Sequence, residues 1–487
     1  MLPAERIVFL STQDNALTCD SKKIIHIETL GCRLNQIESE GASRFFCDEG
    51  FTVSMQGVTA KSSVNNDVIL CVVNTCTVTA KAEQKARRII RLLLKKFPLA
   101  IVVVTGCYAQ INKAEISQID PRIVVLPGRL KSRLSEIPKI ICSLLENSSD
   151  VARDIKEMIE QQVTAGPVPE TSEDAFKFST DTFLHHSRSS IKIQDGCNNR
   201  CTYCQICIAR GKSVSLDAVE VIKRVNMLAA AGQKEVVITT VNIAQYKSEY
   251  NGKTIDFAGL LELLLEKTNG VLFRFSSLYP QIVDDRLCSL IKDDRIRPHF
   301  HLSVQSGSDD ILLKMARPYK AQTVLDACRR LKEVKKDPFL ACDIIAGFPT
   351  ETDEDFSKTM SLVKECGFAW VHAFPFSPRP NTKAFTMKPK VPEAVTQKRV
   401  TELLNYSYES KINYVKSQIG LVRKAIVETS HSDNAVHAVT DNFLHCKIQL
   451  KQKEAPSPSS EIQLRIITVL EDSIRKNEEL EALAEIV

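Results

Sequence analysis

Hydrophobic positions along the chain fall into a repeated alternation of short apolar runs and longer amphipathic ones. Lys23 to Leu30, Asp67 to Val73, Ala100 to Thr105 and Arg122 to Leu126 read as strands, and 36–48, 80–96 and 130–145 between or after them read as helices. Strands that are apolar almost throughout, instead of on alternate residues, are buried on both faces, which predicts a parallel sheet covered by helices. Residues 23–145 are therefore expected to form a doubly wound α/β domain.

A second series follows a polar interval. Strands are expected at Ser190 to Gln194, Glu235 to Val241, Val271 to Ser277, His299 to Gln305, Phe339 to Ala346 and Ala369 to Phe376. Helices are expected at 215–231, 257–268, 284–292, 308–316, 322–335 and 353–366, with Gly232, Gly270 and Gly367 placed as C-caps. Successive βα units over 187–410 predict a partial (β/α)6 barrel with its site at the C-terminal strand ends. From about Lys411 the pattern shortens to Ala425 to Thr429, His437 to Thr440, His445 to Leu450 and Ile462 to Leu470, which predicts a small β-barrel over 411–487 ending in an acidic tail. Residues 1–22 have no clear period and are read as an extension. The polar stretch 146–186, with a short helix at most, is read as a linker or surface excursion.

Composition narrows the class. The 487 residues carry a net charge of +5 with 25% charged residues, which is ordinary for a globular chain of several domains. No apolar run approaches the ~18 residues of a membrane span, and no signal peptide is evident at the N-terminus. A cytoplasmic protein is expected, without a membrane partner. The 16 cysteines then matter, because thiols kept reduced bind metals or react more often than they pair.

Two groups of cysteines have positions that suggest chemistry. Cys197-Asn-Asn-Arg-Cys201-Thr-Tyr-Cys204 follows the first strand of the barrel region, so three thiolates within eight residues can converge on one soft metal centre. Cys207 is near enough to complete a zinc tetrad, so a structural zinc loop is the competing reading. Cys32, Cys76 and Cys107 each fall just past a predicted strand of the N-terminal domain, at the sheet edge where doubly wound folds bind ligands. Cys71, Cys142, Cys288, Cys328 and Cys366 lie in strand or helix patterns that packing explains.

The residues around these cysteines resemble a known family. Gln194-Asp-Gly-Cys-Asn-Asn-Arg-Cys-Thr-Tyr-Cys204 and Ala209-Arg210-Gly211-Lys212-Ser213 are similar to the signature of radical S-adenosylmethionine methylthiotransferases. So, in order, are Thr240-Val241-Asn242-Ile243, Phe275-Ser276-Ser277-Leu278, His301-Leu-Ser-Val-Gln-Ser-Gly-Ser308, Asp343-Ile-Ile-Ala-Gly-Phe-Pro349 and Phe374-Pro-Phe-Ser-Pro-Arg-Pro380. Gly31-Cys32-Arg33-Leu34-Asn35-Gln36, Asn74-Thr75-Cys76 and Gly106-Cys107-Tyr108-Ala109-Gln110 match the N-terminal motifs of the same family, and the C-terminal region, 411–487, resembles a TRAM domain, an RNA-binding β-barrel, above all at His437-Ala-Val-Thr-Asp-Asn-Phe-Leu444. The sequence departs from the family pattern at Cys207, at Thr239-Thr240 and at Thr350.

The resemblance implies two 4Fe-4S clusters. Cys197, Cys201 and Cys204 would hold the one that binds and cleaves S-adenosylmethionine, with Tyr203 against the adenine. Gln305 and Ser306, polar residues at a predicted strand end, are candidate cofactor contacts, with plain capping residues as the alternative. Cys32, Cys76 and Cys107 would hold an auxiliary cluster carrying the sulfur. One S-adenosylmethionine would methylate that sulfur and a second would make the radical that takes hydrogen from the substrate carbon, with an external electron donor and sulfur source.

The loop residues look most like the branch that acts on N6-threonylcarbamoyladenosine beside the tRNA anticodon. The isopentenyladenosine branch and the ribosomal-aspartate branch are the alternatives, and a non-catalytic, metal-containing RNA-binding protein is the rival from another class. Support for RNA from charge is mixed. Arg87, Arg91 and Lys95 form a basic stripe on one predicted helix face, a pattern that phosphate contacts and plain solvation both produce. Residues 411–487 carry a net charge of −1.

Overall fold

A computed structural model describes residues 23–147, 151–164, 172–179, 189–428, 436–450 and 455–487. The expected extension, 1–22, and parts of the stretch read as a linker lie outside these residues. The chain divides into two compact units, one of residues up to 180 with 195–199 and 204–216, the other of 181–194, 200–203 and 217–487.

The first unit is built on a five-stranded parallel sheet. Its strands are β1 (Ile24–Thr29), β2 (Thr52–Ser54), β3 (Val68–Thr75), β4 (Ile101–Gly106) and β5 (Ile123–Val125), in the order β2-β1-β3-β4-β5. Every residue of β3 and β4 is buried, which is why these strands read as unbroken apolar runs. Helix α1 (Arg33–Asp48) packs on one face, with Ala42 and Phe46 against Ile25, Ile27 and Leu70. Helix α2 (Ala80–Lys96) covers the other face with Ala86, Ile89, Ile90 and Leu93, a 3–4 spacing that makes one apolar stripe. Its N-terminus is capped by Thr79, whose hydroxyl accepts from the Ala82 amide at 3.1 Å.

The basic stripe on α2 is only partly available. Arg87 donates to the Tyr108 hydroxyl at 2.9 Å and pairs with Glu115 at 2.9 Å, whereas Arg91 and Lys95 are exposed.

Within the stretch read as a linker, residues 151–163 are helical. Ile155, Ile159 and Val163 are buried in the same core as Phe46 and Phe178. This segment is part of the domain's packing, because its three apolar residues recur every four and give one narrow face. The polar residues around them hid that face.

The second unit contains six parallel strands. These are β6 (Ser189–Asp195), β7 (Glu235–Thr240), β8 (Leu272–Phe275), β9 (His299–Gln305), β10 (Phe339–Ala346) and β11 (Trp370–Pro375). They pair as β6-β7-β8 and β9-β10-β11, and parallel bridges Phe273↔Ile296 and Leu278↔Leu302 join the two groups into one open wall, the expected partial barrel. Helix α3 (Asp353–Cys366) shows why the boundaries were legible: Thr352 and Asp355 form a capping box and Gly367 closes the end at φ +59°.

A 25-residue helix, α4 (Glu393–Ser417), runs through the position where the chain was expected to change domain. Its last turns are shared, since Ile412 and Val415 lie in one core with Phe339 and Ala369 and with the barrel residues Ala425, Ala438 and Leu464.

The C-terminal part is a closed barrel of β12 (Val422–Val427), β13 (Val436–Thr440), β14 (His445–Gln449), β15 (Glu461–Val469) and β16 (Ala482–Ile486), in the order β12-β13-β14-β16-β15. The expected acidic tail supplies the strand that closes it. Ala482 and Ala484 point inward and are fully buried, while Glu485 pairs outward with Arg465 at 3.6 Å. Among the described residues no helix is long and apolar enough to cross a membrane.

Candidate metal centres

The N-terminal sheet brings its three candidate cysteines together. Cys32 sits between β1 and α1, Cys76 directly follows β3, and Cys107 directly follows β4. Neighbouring parallel strands end at one edge, so residues 44 and 31 apart in sequence become neighbours in space. A Cβ on Gly31 would stand 2.5 Å from Cys76 Cβ and 3.0 Å from its Sγ, which places the loop bearing Cys32 directly on Cys76. Gly31 also has φ +109°, a conformation side chains rarely tolerate. Burial foremost, with Cys107 and Cys32 adding to it, pushes the Cys76 thiol up to about 11. Cys107 and Cys32 both disfavour ionisation of Cys76, a conflict that a cation centre would relieve.

Positive charge is already arranged beside them. Within this unit the Arg210 guanidinium donates to Glu38 at 3.0 Å, to Asp195 at 3.0 Å and to Asn35 Oδ1 at 2.7 Å, and Lys131 bonds Glu38 as well. Burial lowers the Arg210 pKa, but Asp195 and Glu38 outweigh that and hold it well above its ordinary value. Arg210 and Lys131 both favour the ionised form of Cys107, against the burial that raises it. Asn35 in turn donates to the carbonyls of Leu30 and Thr75, tying the loop before Cys32 to the residue before Cys76.

The Cys197–Cys204 run contributes to both units. In the first, the Cys197 amide donates to the Gly211 carbonyl at 3.1 Å, the Ser213 amide to Asn198 Oδ1 at 3.0 Å, and the Ile206 amide to Cys204 Sγ at 3.4 Å. In the second, the Thr202 amide and hydroxyl bond the carbonyls of Met315 and Lys314, and the Ala384 amide bonds the Thr202 carbonyl. Tyr203 packs against Ile311, Met315, Phe348 and Ala384. Gln194, just before the run, accepts from the amides of Val241 and Asn242 at 3.1 and 2.9 Å, so the motif's first residue fastens two strand ends.

Arg317 is a cation at this loop that sequence reasoning missed. It donates to Cys201 Sγ at 3.6 Å, to the Tyr279 hydroxyl at 3.2 Å, to the Tyr319 hydroxyl at 2.7 Å and to the Ser303 carbonyl at 3.1 Å. Its guanidinium also lies over both tyrosine rings, at 4.5 and 4.9 Å. Arg210 lay inside a quoted motif without a role. For neither arginine does spacing give a signal, because the partners that matter, Glu38 for Arg210 and Cys201 for Arg317, are 172 and 116 residues away.

Gln305 ends β9 with φ +72°, so the chain turns sharply at the strand end. Ser306 is engaged inside that turn: its hydroxyl accepts from the Ser308 amide at 3.2 Å and lies 3.4 Å from the Thr359 hydroxyl. Ser308 is held by Asp355 at 2.6 Å, which locks the turn onto α3. Cys207 keeps intermediate exposure, and Cys71, Cys288, Cys328 and Cys366 are buried, as their packing assignment expects.

Comparison with known proteins agrees with this layout. The radical SAM superfamily model matches residues 191–363, and the model described as uncharacterized protein family UPF0004 matches 24–128. The threonylcarbamoyladenosine tRNA methylthiotransferase MtaB of Treponema pallidum (strain Nichols) is 41% identical, over 91% of this chain and 98% of that protein. The tRNA-2-methylthio-N(6)-dimethylallyladenosine synthase of Treponema denticola is 32% identical, over 84% and 88%. Among solved structures, the radical S-adenosylmethionine methyltransferase TsrM from Kitasatospora setae matches with a TM-score of 0.47 and 15% identity, over 75% of this chain and 77% of that one. The chain belongs to the radical S-adenosylmethionine methylthiotransferases, in the threonylcarbamoyladenosine tRNA branch of that family.

Proposed function

We propose that this enzyme converts N6-threonylcarbamoyladenosine in tRNA to its 2-methylthio derivative, using two 4Fe-4S clusters and S-adenosylmethionine. The observation that carries the reading is the meeting of Cys32, Cys76 and Cys107 at one sheet edge, a second set of three soft donors, apart from Cys197–Cys204, on which the sulfur to be inserted could be held. The branch follows the relatives' names and the identity of 41% against 32%. A tRNA substrate also favours a cytoplasmic location.

The donor sets suit such clusters. Each has three soft thiols, which leaves one iron for a non-protein ligand. We assign Cys32, Cys76 and Cys107 to the auxiliary cluster and Cys197, Cys201 and Cys204 to the other. When bound, these groups supply the one-electron chemistry, the methyl group and the sulfur.

The chain's own residues bind and position. Arg210 and Lys131 hold positive charge beside Cys107 and offset the charge of bound thiolates. Arg317 does the same for Cys201 through its 3.6 Å contact. Tyr203 and Gln305 are assigned as S-adenosylmethionine contacts. Ser306 belongs with them as the residue whose turn orients Gln305.

Anaerobic reconstitution tests this reading. About eight iron atoms per chain are expected, with methylthiolation of threonylcarbamoyladenosine-bearing tRNA and none of the isopentenyladenosine-bearing one. A single zinc without cleavage of S-adenosylmethionine would overturn it.

A further inference from the structure

The inner face of the half-barrel carries polar groups that the cysteine chemistry does not use. Asp343 on β10 lies opposite His372 on β11, and His301 on β9 lies opposite Ala341, two residues before Asp343. Side chains alternate along a strand, so His301, Asp343 and His372 share one face. Leu302, Cys342 and Val371, on the opposite face, are fully buried under the helices.

The row is ordered by hydrogen bonds. His301 Nδ1 lies 2.7 Å from the Ser277 hydroxyl, and its Nε2 lies 3.3 Å from Asp343 Oδ1. Its ring centre is 5.3 Å from that of His372. The Trp370 indole N–H donates to His372 Nδ1 at 3.2 Å. An indole nitrogen can only donate, so His372 Nδ1 must be bare, and the proton of the neutral ring sits on Nε2. Burial raises the Asp343 carboxyl, but the charge and hydrogen bond of His301 outweigh it and hold it below the usual range.

Among the described residues, His372 Nε2 has no hydrogen-bond partner. Beside it, the Phe374 ring lies within 12° of parallel at 6.5 Å and is 42% exposed. A fixed N–H donor next to an open aromatic face matches a planar base bearing a hydrogen-bonding substituent.

We propose that His372 is a specificity-determining residue, donating its Nε2–H to the ureido carbonyl on N6 of the substrate adenosine, with Phe374 against the base. This rests on the threonylcarbamoyladenosine reading above. Asp343 is placed to accept from the ureido N–H groups. A dimethylallyl chain has no acceptor, so seating it would strip water from the donor and give nothing back.

The test uses reconstituted enzyme and two anticodon stem-loops, one bearing threonylcarbamoyladenosine and one bearing adenosine. Wild type is expected to bind the modified RNA about tenfold more tightly or better. His372→Phe, which keeps the ring and loses the donor, should bring the two affinities within about twofold by weakening only the modified RNA. His372→Gln, which restores an N–H, should recover part of the preference. A preference that survives in His372→Phe overturns the inference, as does a wild type that methylthiolates the modified RNA yet binds both equally. A wild type that does not methylthiolate the modified RNA overturns the reading beneath it.

Discussion

Replacing Arg210 by methionine removes a cation that three acceptors share while keeping an unbranched stem of similar bulk. Its side chain is only 7% exposed, and those of Glu38 and Asp195 are 4% and 11% exposed. Glu38 would retain Lys131, whereas Asp195 would retain the Gly196 amide at 2.7 Å. A buried carboxylate that loses its partner costs about 3–5 kcal/mol, and the lower end fits here because one of the two anions keeps a cation. A loss of about 3 kcal/mol is a factor of roughly 10² in the folded-to-unfolded ratio of the first unit. Urea titration followed by far-ultraviolet circular dichroism reads this loss. The single tryptophan, Trp370, lies in the second unit and reports that unit's transition separately. Adding Asp195→Asn removes the buried charge that Arg210 had faced, so the double variant should recover about 1 kcal/mol or more over the single one. A single-variant loss below about 1 kcal/mol, or strictly additive losses, would refute the shared-cation account.

Gly31→Ala should cost iron at the auxiliary site, since its new Cβ would meet Cys76 at 2.5 Å. Gly50→Ala, which has positive φ but open space, should cost only backbone strain of about 1 kcal/mol; iron analysis and melting of both variants check this. Cys76→Ala should abolish methylthiolation and leave deoxyadenosine formation largely intact, whereas Cys201→Ala should abolish both; equal loss in the two assays would contradict the division of labour. Glu235 is 1% exposed and bonds both Arg274 and Arg297, so Glu235→Gln should destabilise the second unit by about 3–5 kcal/mol, read by Trp370 fluorescence in urea.

The legible parts of the fold were those where burial is uniform or a cap is explicit. β3 and β4 are apolar because both their faces are covered, and α3 is bounded by a capping box and a glycine. The parts that escaped notice lack such marks. β2 has three residues, all half-buried, and β16 buries two alanines that look like tail sequence. α4 carries sparse apolar positions, because its buried face includes Thr396, Arg399, Ser407 and Lys411.

The candidate site divides in the same way. Cys32, Cys76 and Cys107 were readable because a strand end fixes where a following residue lies. Arg210 and Arg317 were not, since Arg210 meets Glu38 from 172 residues away and Arg317 meets Cys201 from 116. Ser306 was placed correctly at the strand end, but its hydroxyl is turned into the loop by Thr359, a partner 53 residues distant. The histidine row was hidden for a related reason: β10 and β11 each contribute one polar residue to an otherwise apolar run, and His301 is one of four polar residues that alternate along β9.

Nucleoside mass spectrometry of tRNA from a strain lacking this chain is the most direct measurement of the central claim. Loss of 2-methylthio-N6-threonylcarbamoyladenosine with accumulation of N6-threonylcarbamoyladenosine is expected, reversed by the wild-type chain and not by Cys76→Ala. Unchanged 2-methylthio-N6-threonylcarbamoyladenosine in that strain would contradict it.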